Sequence, residues 1–227
     1  MLISLVILAI VGLFSSCVFR VNNSFTNGKN VRCKGEVVTT DMQLSGFDAI
    51  RIDGKGDIEF VQAEETSVAV TANSEVFDHL DFVVEDSVLV IRTINNVNIV
   101  AEEFDIRVSA PVLKDISVNG ASDFDIPLSY ISEEPLSINV NGAGDFEVKN
   151  VQVPAFSVSV NGAGDLDAEN LNVGSLSVTV NGAADVELSG TAASASFSIS
   201  GAGDIDARNL SCEDVTTTKN GIGKIKL

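Results

Sequence analysis

The sequence lacks most of the residues on which catalytic centres and aromatic binding sites are usually built. Its 227 residues include no Trp, one Tyr (Tyr130) and one His (His79). Because large aromatic anchors are scarce, Phe and small β-branched residues must fill the core. His79 lies in a polar stretch with no Ser or Cys elbow nearby, which favours an ordinary exposed histidine over a general base.

Positive charge is also scarce. The chain has 14 Lys and Arg against 32 Asp and Glu, which gives a formal net charge of −18 at pH 7. A polyanion would be repelled from such a surface unless cations intervened, so the composition excludes nucleic acid as a partner.

A long apolar run without charge occurs at the start of the chain. Residues 1–16, "MLISLVILAIVGLFSS", carry no charge and are typical of a secretory signal peptide, being too short for a comfortable membrane span. Residues 13–17, "LFSSC", resemble the lipobox of bacterial lipoproteins, in which the cysteine, here Cys17, becomes the lipidated N-terminus. No Lys or Arg precedes the run, so an ordinary cleaved signal or a short N-terminal anchor is the alternative. Each interpretation places the chain outside the cytoplasm.

The lipidation hypothesis sets the domain organisation and the location. Residues 17–36 are polar and Asn-rich, as a lipid-attached flexible linker would be, and residues 37–227 form the folded domain. We expect a cell-envelope protein, lipid-anchored in the outer membrane and facing either the periplasm or the surface. The membrane would then be a partner through the N-terminal lipid.

Cysteine is the next scarce residue. After lipidation of Cys17, only Cys33 and Cys212 remain to pair. An oxidising compartment permits a disulfide between them, but they lie near opposite ends of the sequence, so a bridge requires those ends to be adjacent. Two free or buried thiols are the alternative.

From residue 37 onward, apolar residues alternate with polar ones, and no long stretch has helical periodicity. "TSVAVTA", "SVLVIRT" and "FDIRVSAP" show this alternation, with Gly, Asp, Asn or Pro at their boundaries. The pattern predicts an all-β chain. The single helical turn that we expect lies in "SEVFDHLDF", where Ser74 caps the turn and Val76, Phe77 and Leu80 face inward.

One motif is written five times within residues 112–227: "VNGASDFDI", "VNGAGDFEV", "VNGAGDLDA", "VNGAADVEL" and "ISGAGDIDA". The first glycine of each copy, followed by that of a degenerate sixth copy, recurs at steps of 22, 20, 20, 19 and 20 residues. Such a period predicts a parallel β-helix, a solenoid with about 20 residues per coil. "RIDGKGDIEF" from Arg51 carries a related corner, so the less regular N-terminal β part is expected to share the architecture.

Alignment of the copies separates inward from outward positions. Before each corner, the aligned columns contain Leu136, Ile138, Val140, Phe156, Val158, Val160, Leu176, Val178, Val180, Ala195, Phe197 and Ile199. After each corner, Phe124, Ile126, Phe146, Val148, Leu166, Ala168, Val186, Leu188, Ile205 and Ala207 form a second wall. We expect the glycines to serve tight backbone approach and the stacked Asn119, Asn141, Asn161 and Asn181 to form an amide ladder.

Acidic residues fill the outward positions after each corner. One column contains Asp123, Asp145, Asp165, Asp185 and Asp204, and the second contains Asp125, Glu147, Asp167, Glu187 and Asp206. Stacked like charges destabilise a sheet unless something compensates for them. The candidates are backbone N–H donors of the same corner, solvation as an acidic ridge, or Ca²⁺. The possible metal ligands are Asp145, Glu147, Asp165, Asp167, Asp185 and Glu187; no other cofactor is expected.

At the last copy, Lys224 and Lys226 replace both acids, and we expect them to neutralise Asp204 and Asp206. Before each corner, the outward positions are instead Ser, Thr or Asn. This row predicts a binding face or merely a solvated β surface. Its residues are Ser137, Asn139, Ser157, Ser159, Ser177, Thr179, Ser196 and Ser198.

The order "FDAIRIDGKGDIEF", "SVLVIRT", "FDIRVSAPVLKDISVNGASDFDI" and then the repeated "VNGAGD" corners resembles the head GIN domain family of auto-transporter adhesins. The resemblance covers about residues 38–225. It implies that residues 37–227 are a head GIN domain with an all-β, right-handed helix-like fold, a location outside the cytoplasm and an adhesive role. It implies no catalytic residue.

Two functions remain open from the sequence. The first is a non-enzymatic binding or scaffold module that presents its repetitive surface to a glycan or a protein. The alternative is a carbohydrate-active β-helix enzyme acting on polysaccharide, which the uniform repetition of the acids disfavours because a catalytic site has carboxylates with different pKa values. We also expect weak self-association, because the chain as given ends within a copy without an evident polar cap.

Overall fold

The computed structural model describes residues 28–227, and within them the chain is all-β apart from one short 3₁₀ helix. The predicted fold class is thus confirmed at the level of all-β. Residues 1–27, which include the predicted signal peptide and Cys17, lie outside the described part of the chain. The elements are β1 (Lys29–Arg32), β2 (Val37–Asp41), β3 (Ala49–Gln62), β4 (Ser67–Asn73), the 3₁₀ helix (Ser74–His79), β5 (Leu80–Glu85), β6 (Val88–Thr93), β7 (Val97–Val100), β8 (Phe104–Ala110), β9 (Asp115–Ile126), β10 (Tyr130–Ile131), β11 (Leu136–Val140), β12 (Phe146–Lys149), β13 (Val151–Val160), β14 (Ala163–Val180), β15 (Ala183–Ile199), β16 (Ile205–Ser211), β17 (Asp214–Lys219) and β18 (Ile225–Lys226).

From β9 to β18, every copy of the repeat pairs in parallel with the next copy. Leu136 lies opposite Phe156, Phe156 opposite Leu176, and Leu176 opposite Ala195. This is the register that alignment of the copies predicted, and all the inward columns listed above are buried. Because side chains alternate along each strand, burial of these columns sends the intervening residues to the outer surface.

The first glycine of each corner is required by close approach of the backbone of the preceding copy. A Cβ atom built on Gly142 would lie 1.9 Å from the carbonyl oxygen of Gly120, and one on Gly162 would lie 1.9 Å from that of Gly142. No side chain fits at such distances. The corners can stack only because each copy has glycine at this position.

The N-terminal part continues the stack but is less regular, as predicted. Strand β3 pairs in parallel with β9 over residues 49–59, so the corner at Gly54 lies against the corner at Gly120. The other edge of β3 is shared by β6 and β8. Antiparallel pairing then begins, with β5 on β6, β4 on β8, and β2 on β4. A separate pair of parallel strands, β1 and β7, completes this end.

The 3₁₀ helix forms where the helical turn was expected, with Val76 and Leu80 buried. Its expected cap is different. Asn73, rather than Ser74, precedes the turn, and its side chain makes no capping hydrogen bond. Instead, the Asn73 carboxamide accepts hydrogen bonds from the backbone N–H groups of Glu102 and Glu103 and donates one to the carbonyl of Gly35.

The last copy has polar residues at inward positions, which the sequence reasoning overlooked. Thr217 pairs with Phe197 and Lys219 with Ile199, so polar side chains continue columns that are apolar in the preceding copies. Both Thr217 and Lys219 are exposed. The apolar columns of Phe197 and Ile199 therefore do not continue into β17.

Candidate functional site

Two surfaces carry the outward polar residues. We call the first the acid files: a first file of Asp57, Asp105, Asp123, Asp145, Asp165, Asp185 and Asp204, and a second file of Glu59, Asp125, Glu147, Asp167, Glu187 and Asp206. We call the second the hydroxyl face: Ser137, Asn139, Ser157, Ser159, Ser177, Thr179, Ser196 and Ser198.

The acid files are longer than the repeat predicted. Asp57 pairs with both Asp123 and Asp105, and Glu59 pairs with Asp125. Thus the files contain seven and six acids, thirteen of the 32 in the chain. Periodicity could not reveal this extension, because β3 is inserted between β8 and β9 although it precedes both in the sequence. The sequence signal for this extension was "GDIE" within "RIDGKGDIEF", which places Asp57 and Glu59 after the corner as in the repeats.

Backbone N–H groups hold the first file, but not in the way that was predicted. The expected donors were those of the same corner. Instead, the carboxylate of Asp123 accepts a hydrogen bond of 2.9 Å from the N–H of Asp145 in the next copy, and Asp185 accepts one of 3.0 Å from Asp204. Each such bond stabilises the ionised carboxylate and fixes the spacing between two copies.

The second file carries carboxyl groups that are harder to ionise. Partial burial, then the charges of Glu147, Asp123 and Glu59, raise the pKa of Asp125 to about 6. Burial and the charge of Glu187 also raise the pKa of Asp167. In the first file, burial and the carboxyl group of Glu103 raise the pKa of Asp105 to about 6.

The two ends of the second file are occupied by cations. Arg107 pairs with Glu59, with 3.1 Å between Nε and Oε1. At the other end, Lys226 Nζ lies 3.6 Å from Asp206 Oδ2 and 3.7 Å from Asp204 Oδ2. Hydrogen bonds from Arg208 lower the pKa of Asp206. The expected neutralisation is therefore carried by Lys226, whereas Lys224 contributes its backbone N–H to Asp204. The acids of the second file are therefore not uniform, because the pKa is raised at Asp125 and Asp167 and lowered at Asp206.

A groove of about 450 Å³ runs between the two files. It is lined by Asp123, Asp125, Asp145, Phe146, Glu147, Asp165 and Asp167. Four of the six predicted metal ligands contribute to it, while Asp185 and Glu187 continue the files beyond it. Within residues 28–227, no three Asp, Glu, His or Cys side chains are arranged to hold a metal ion.

The hydroxyl face has the register that was predicted. Ser137 pairs with Ser157, Ser157 with Ser177, and Ser177 with Ser196. Asn139, Ser159, Thr179 and Ser198 form a second parallel row. Strands in a sheet are about 4.8 Å apart, so hydroxyl groups recur at that spacing along each row.

The two ends of the hydroxyl face differ. Near β9, Asp115 accepts hydrogen bonds from Ser117, Ser137 and Asn139, so these groups are already partnered. Further along, Ser157, Ser177 and Ser196 are exposed, and in the described part of the chain their hydroxyl groups make no hydrogen bond to protein. The copies after β11 therefore present free donors and acceptors to the outside.

Of the two alternatives left open for Cys33 and Cys212, the structure has the two free thiols and no disulfide. Cys33 is buried and Cys212 is partly exposed, and both are free thiols. Cys33 is bonded to β7 through its backbone, at the N-terminal end of the stack, whereas Cys212 lies between β16 and β17 at the opposite end. Five strands separate β3 from β16, which corresponds to roughly 25–30 Å at the usual strand spacing. Burial and the charges of Glu75 and Asp78 raise the pKa of the Cys33 thiol.

His79 is not the exposed residue that was expected. It ends the 3₁₀ helix, is partly buried, and its Nδ1 atom is enclosed without a hydrogen-bond partner. In the part of the chain that the structure covers, no helix is long and apolar enough to cross a membrane.

Comparison with known proteins agrees with this architecture. The sequence profile of the family "Putative auto-transporter adhesin, head GIN domain" matches residues 46–227. The chain therefore belongs to the head GIN domain family. No curated protein matches the chain.

Solved structures share the fold at low sequence identity. A putative adhesin from Bacteroides fragilis is 18% identical with a TM-score of 0.72, over 87% of this chain and 99% of its own. A putative lipid binding protein from Parabacteroides distasonis is 18% identical with a TM-score of 0.54, over 88% of this chain and 100% of its own. A putative adhesin from the same organism is 15% identical with a TM-score of 0.51, over 87% and 99%. At such identity the similarity establishes the fold alone.

Proposed function

We propose that the protein is a non-enzymatic binding module of the cell envelope that holds a glycan on its hydroxyl face. The observation that carries this proposal is the regular row of exposed Ser157, Ser177 and Ser196, whose hydroxyl groups make no hydrogen bond to any residue of 28–227. Family membership among adhesins, rather than enzymes, supports a binding role and a cell-envelope or surface location.

The face suits a repetitive ligand better than a single sugar. None of the Phe residues in the described strands is exposed, and Tyr130 is fully buried, so no aromatic ring is available for stacking on a sugar. One hydroxyl contact contributes only about 1 kcal/mol. A polymer that contacts several copies at once gains affinity through multivalency. We therefore propose a polysaccharide as the ligand and make a protein partner an outcome of the test.

We further propose that the stacked copies form a right-handed parallel β-helix with about 20 residues per coil. Support comes from the parallel pairing of β9 through β18 at the repeat spacing and from the strong preference of parallel crossovers for the right hand. In such a helix the hydroxyl face and the acid files occupy different walls, which allows one wall to bind while the other remains solvated.

The N-terminal lipid remains part of the proposal. Part of the predicted linker, residues 17–36, belongs to the folded domain, because β1 pairs with β7 and Cys33 is buried. We propose that Cys17 is acylated, that the residues between Cys17 and β1 connect the lipid to the domain, and that the anchor is in the outer membrane. Cys17→Ser should release the mature chain from the membrane fraction and abolish incorporation of labelled fatty acid. Retention of label in this variant would contradict the lipidation. Protease treatment of intact cells then distinguishes the surface from the periplasm.

The hydroxyl face is tested by a pair of matched double variants. Ser157→Arg with Ser177→Arg places two bulky cations on neighbouring copies of the face. Gln152→Arg with Asn172→Arg does the same on another wall, since these residues also pair and are also exposed. On a glycan array and in pull-downs with envelope proteins, the first variant should lose binding and the second should retain it. Equal binding by both variants would refute the face, and binding only to protein would replace the glycan.

A carbohydrate-active enzyme is the second candidate, and the acid groove is the observation that favours it. Asp125 has a pKa of about 6 and lies beside Glu147, so one carboxyl group could remain protonated while its neighbour is ionised. A reducing-sugar assay with excess polysaccharide separates the two functions. Multiple turnovers that disappear in Asp125→Asn would establish catalysis, whereas binding without turnover supports the module.

A further inference from the structure

The described part of the chain contains five Asn-Gly pairs, all at corners of the stack. They are Asn119-Gly120, Asn141-Gly142, Asn161-Gly162, Asn181-Gly182 and Asn220-Gly221. Asn-Gly is the dipeptide in which the side-chain carboxamide is most open to attack by the following backbone nitrogen, because glycine places no side chain in the way. All five asparagines precede the first glycine of a corner, and the last pair lies in the degenerate copy "KNGIGKIKL". We compare the pairs by what surrounds the carboxamide.

Four of the five carboxamides are held in an amide ladder, as the stacking predicted. Asn141 donates from Nδ2 to Asn119 Oδ1 at 3.2 Å, Asn161 to Asn141 at 3.1 Å, and Asn181 to Asn161 at 2.9 Å. Asn119 itself donates to Asp53 Oδ1 at 2.9 Å. These bonds hold each side chain against the neighbouring copy, so they must be released before the carboxamide can turn toward the following backbone nitrogen.

Asn220 is the exception. The preceding copy has Ser200 where the others have Asn, so the ladder has no amide to offer at this position. Asn220 is exposed, and within residues 28–227 its side chain makes no hydrogen bond. Its backbone is nevertheless ordered in the corner, since Asn220 N–H donates to Ile199 and Ile222 N–H donates to Gly201.

The attacking nitrogen does not differ between the copies. In the corners, the residues before and after the first glycine donate their N–H groups to the preceding copy, as Asn161 does to Val140 and Ala163 to Gly142. In the described chain, no such bond is formed by the N–H of Gly142, Gly162, Gly182 or Gly221. The hydrogen-bonding state of the attacking nitrogen is thus the same after Asn141, Asn161, Asn181 and Asn220, whereas the carboxamide of Asn220 lacks the ladder bond that the other three have.

We propose that Asn220 is the site at which the folded protein undergoes spontaneous deamidation. The backbone nitrogen of Gly221 loses its proton and attacks Asn220 Cγ, a C–N bond forms, and the Cγ–Nδ2 bond breaks with release of ammonia. Water then opens the cyclic imide to give aspartate or isoaspartate. Amide and water are the only reactants, and no electron is transferred. The product places a new carboxylate in the copy that carries Lys219, Lys224 and Lys226.

The number of ladder bonds predicts the order of the rates. A carboxamide can react only after it leaves the ladder. If this requires breaking one hydrogen bond of about 1 kcal/mol, the fraction of reactive side chains falls about five-fold, and if it requires breaking two, the fraction falls roughly thirty-fold. Asn181 has one bond in the ladder, whereas Asn119, Asn141 and Asn161 each have two. We expect Asn220 to react fastest, Asn181 next and the other three slowest.

The experiment is incubation of the native protein at mildly alkaline pH, followed by peptide mapping with mass spectrometry over several weeks. Urea-denatured protein should lose the differences between the pairs, because the ladder exists only in the fold. The pair Asn27-Gly28, whose asparagine lies outside the described residues, is scored separately. Native Asn141 or Asn161 reacting as fast as Asn220 would overturn the proposal.

Two variants test the ladder directly. Ser200→Asn supplies the missing amide next to Asn220 and should slow its deamidation by about five-fold. Asn161→Ser removes the acceptor of Asn181 and should speed deamidation at Asn181 by a similar factor. The rates at Asn220 in Asn161→Ser serve as the internal control and should not change. Unchanged rates at Asn220 in Ser200→Asn and at Asn181 in Asn161→Ser, with the fold intact by circular dichroism, would refute the role of the ladder.

Discussion

The N-terminal strands and the C-terminal repeats belong to one stack, but their strands and their outward charges are paired differently. In the N-terminal part, antiparallel and parallel neighbours are mixed, and several acids are paired with arginines, as in Arg51–Asp53, Arg92–Glu85 and Arg107–Glu59, although Asp57 still lies against two other acids. In the repeats, each residue lies against its own equivalent, so acids lie against acids. Repetition gives a regular core and an amide ladder, but it also stacks like charges and requires glycine at every corner.

The largest expected effect tests the glycine requirement in the repeats. Gly162→Ala places a Cβ atom 1.9 Å from the carbonyl oxygen of Gly142, so two copies must separate. We expect a loss of about 3 kcal/mol or more in the free energy of unfolding, measured by denaturant titration.

Gly56→Ala is the matched control for that substitution in the N-terminal part. Its Cβ atom would meet the flexible end of Ile106 at 3.1 Å, and we expect a loss of about 1 kcal/mol or less. Equal losses at Gly162 and Gly56 would contradict the special role of the corners in the repeats.

The acid files should make the protein more stable in mild acid. Asp105 and Asp125 have pKa values of about 6 in the fold, above the value of an unfolded Asp, so the folded chain binds more protons between about pH 4 and 6. The free energy of unfolding therefore rises as the pH falls from 7 toward 5, by on the order of 1 kcal/mol once solvent screening is taken into account. Thermal unfolding across this pH range measures it.

Two single variants separate the contributions to this pH dependence. Asp125→Asn should flatten the profile, because it removes a group whose pKa is raised in the fold. Asp206→Asn should leave the profile between pH 7 and 5 nearly unchanged, because the pKa of Asp206 is lowered in the fold and its contribution to stability is lost only when the pH falls below the ordinary Asp pKa of about 4. Stability that falls steadily from pH 7 to pH 5 in the unmodified protein would contradict the effect of the stacked acids.

A smaller effect is expected at the end of the files. In Lys224→Glu with Lys226→Glu, the ammonium group of Lys226, which lies within 4 Å of Asp204 and Asp206, is lost. Both acid files then gain one more negative charge. Exposed ion pairs contribute at most about 1 kcal/mol each, so the melting temperature should fall by roughly 2–4 °C at low salt. The neutral variant Lys224→Gln with Lys226→Gln should show part of the loss, and added salt should reduce both. A midpoint that does not change at low salt would refute the neutralisation.

The smallest effect concerns self-association. We expect the protein to associate weakly, and the polar Thr217 and Lys219 in the last copy to keep that association weak. Thr217→Val with Lys219→Leu extends the apolar columns of Phe197 and Ile199 to the surface and should strengthen association in analytical ultracentrifugation. A concentration-independent monomer for both proteins would contradict the expectation.

The sequence was most informative where the structure is repetitive. The positions of Phe156, Leu176 and Asn161 follow from alignment of copies about twenty residues apart, because equivalent side chains must stack in the same register. Polar and apolar walls follow from the alternation of side chains along each strand. The all-β class, the inward columns and the hydroxyl rows were therefore predictable.

Pairings between distant segments were not predictable in the same way. The insertion of β3 between β8 and β9, which adds Asp57 and Glu59 to the acid files, depends on contacts across more than forty residues. Asn73 also depends on a contact distant in sequence, because its carboxamide accepts a hydrogen bond from the backbone N–H of Glu102, 29 residues away, instead of capping the helix that follows it. Such contacts are selected by three-dimensional packing, and no local period encodes them.

The central claim is that successive copies lie directly beside one another with equivalent residues in register. Spin labels on the hydroxyl face, with the native cysteines replaced by serine, test it through distances measured by pulsed electron paramagnetic resonance. The pairs Ser117 with Ser198 and Ser117 with Thr218 are four and five strands apart. The distances between the two labelled positions should be about 19 Å and about 24 Å, and the two distances should differ by one strand spacing. Separations that do not increase with the number of intervening copies would contradict the account.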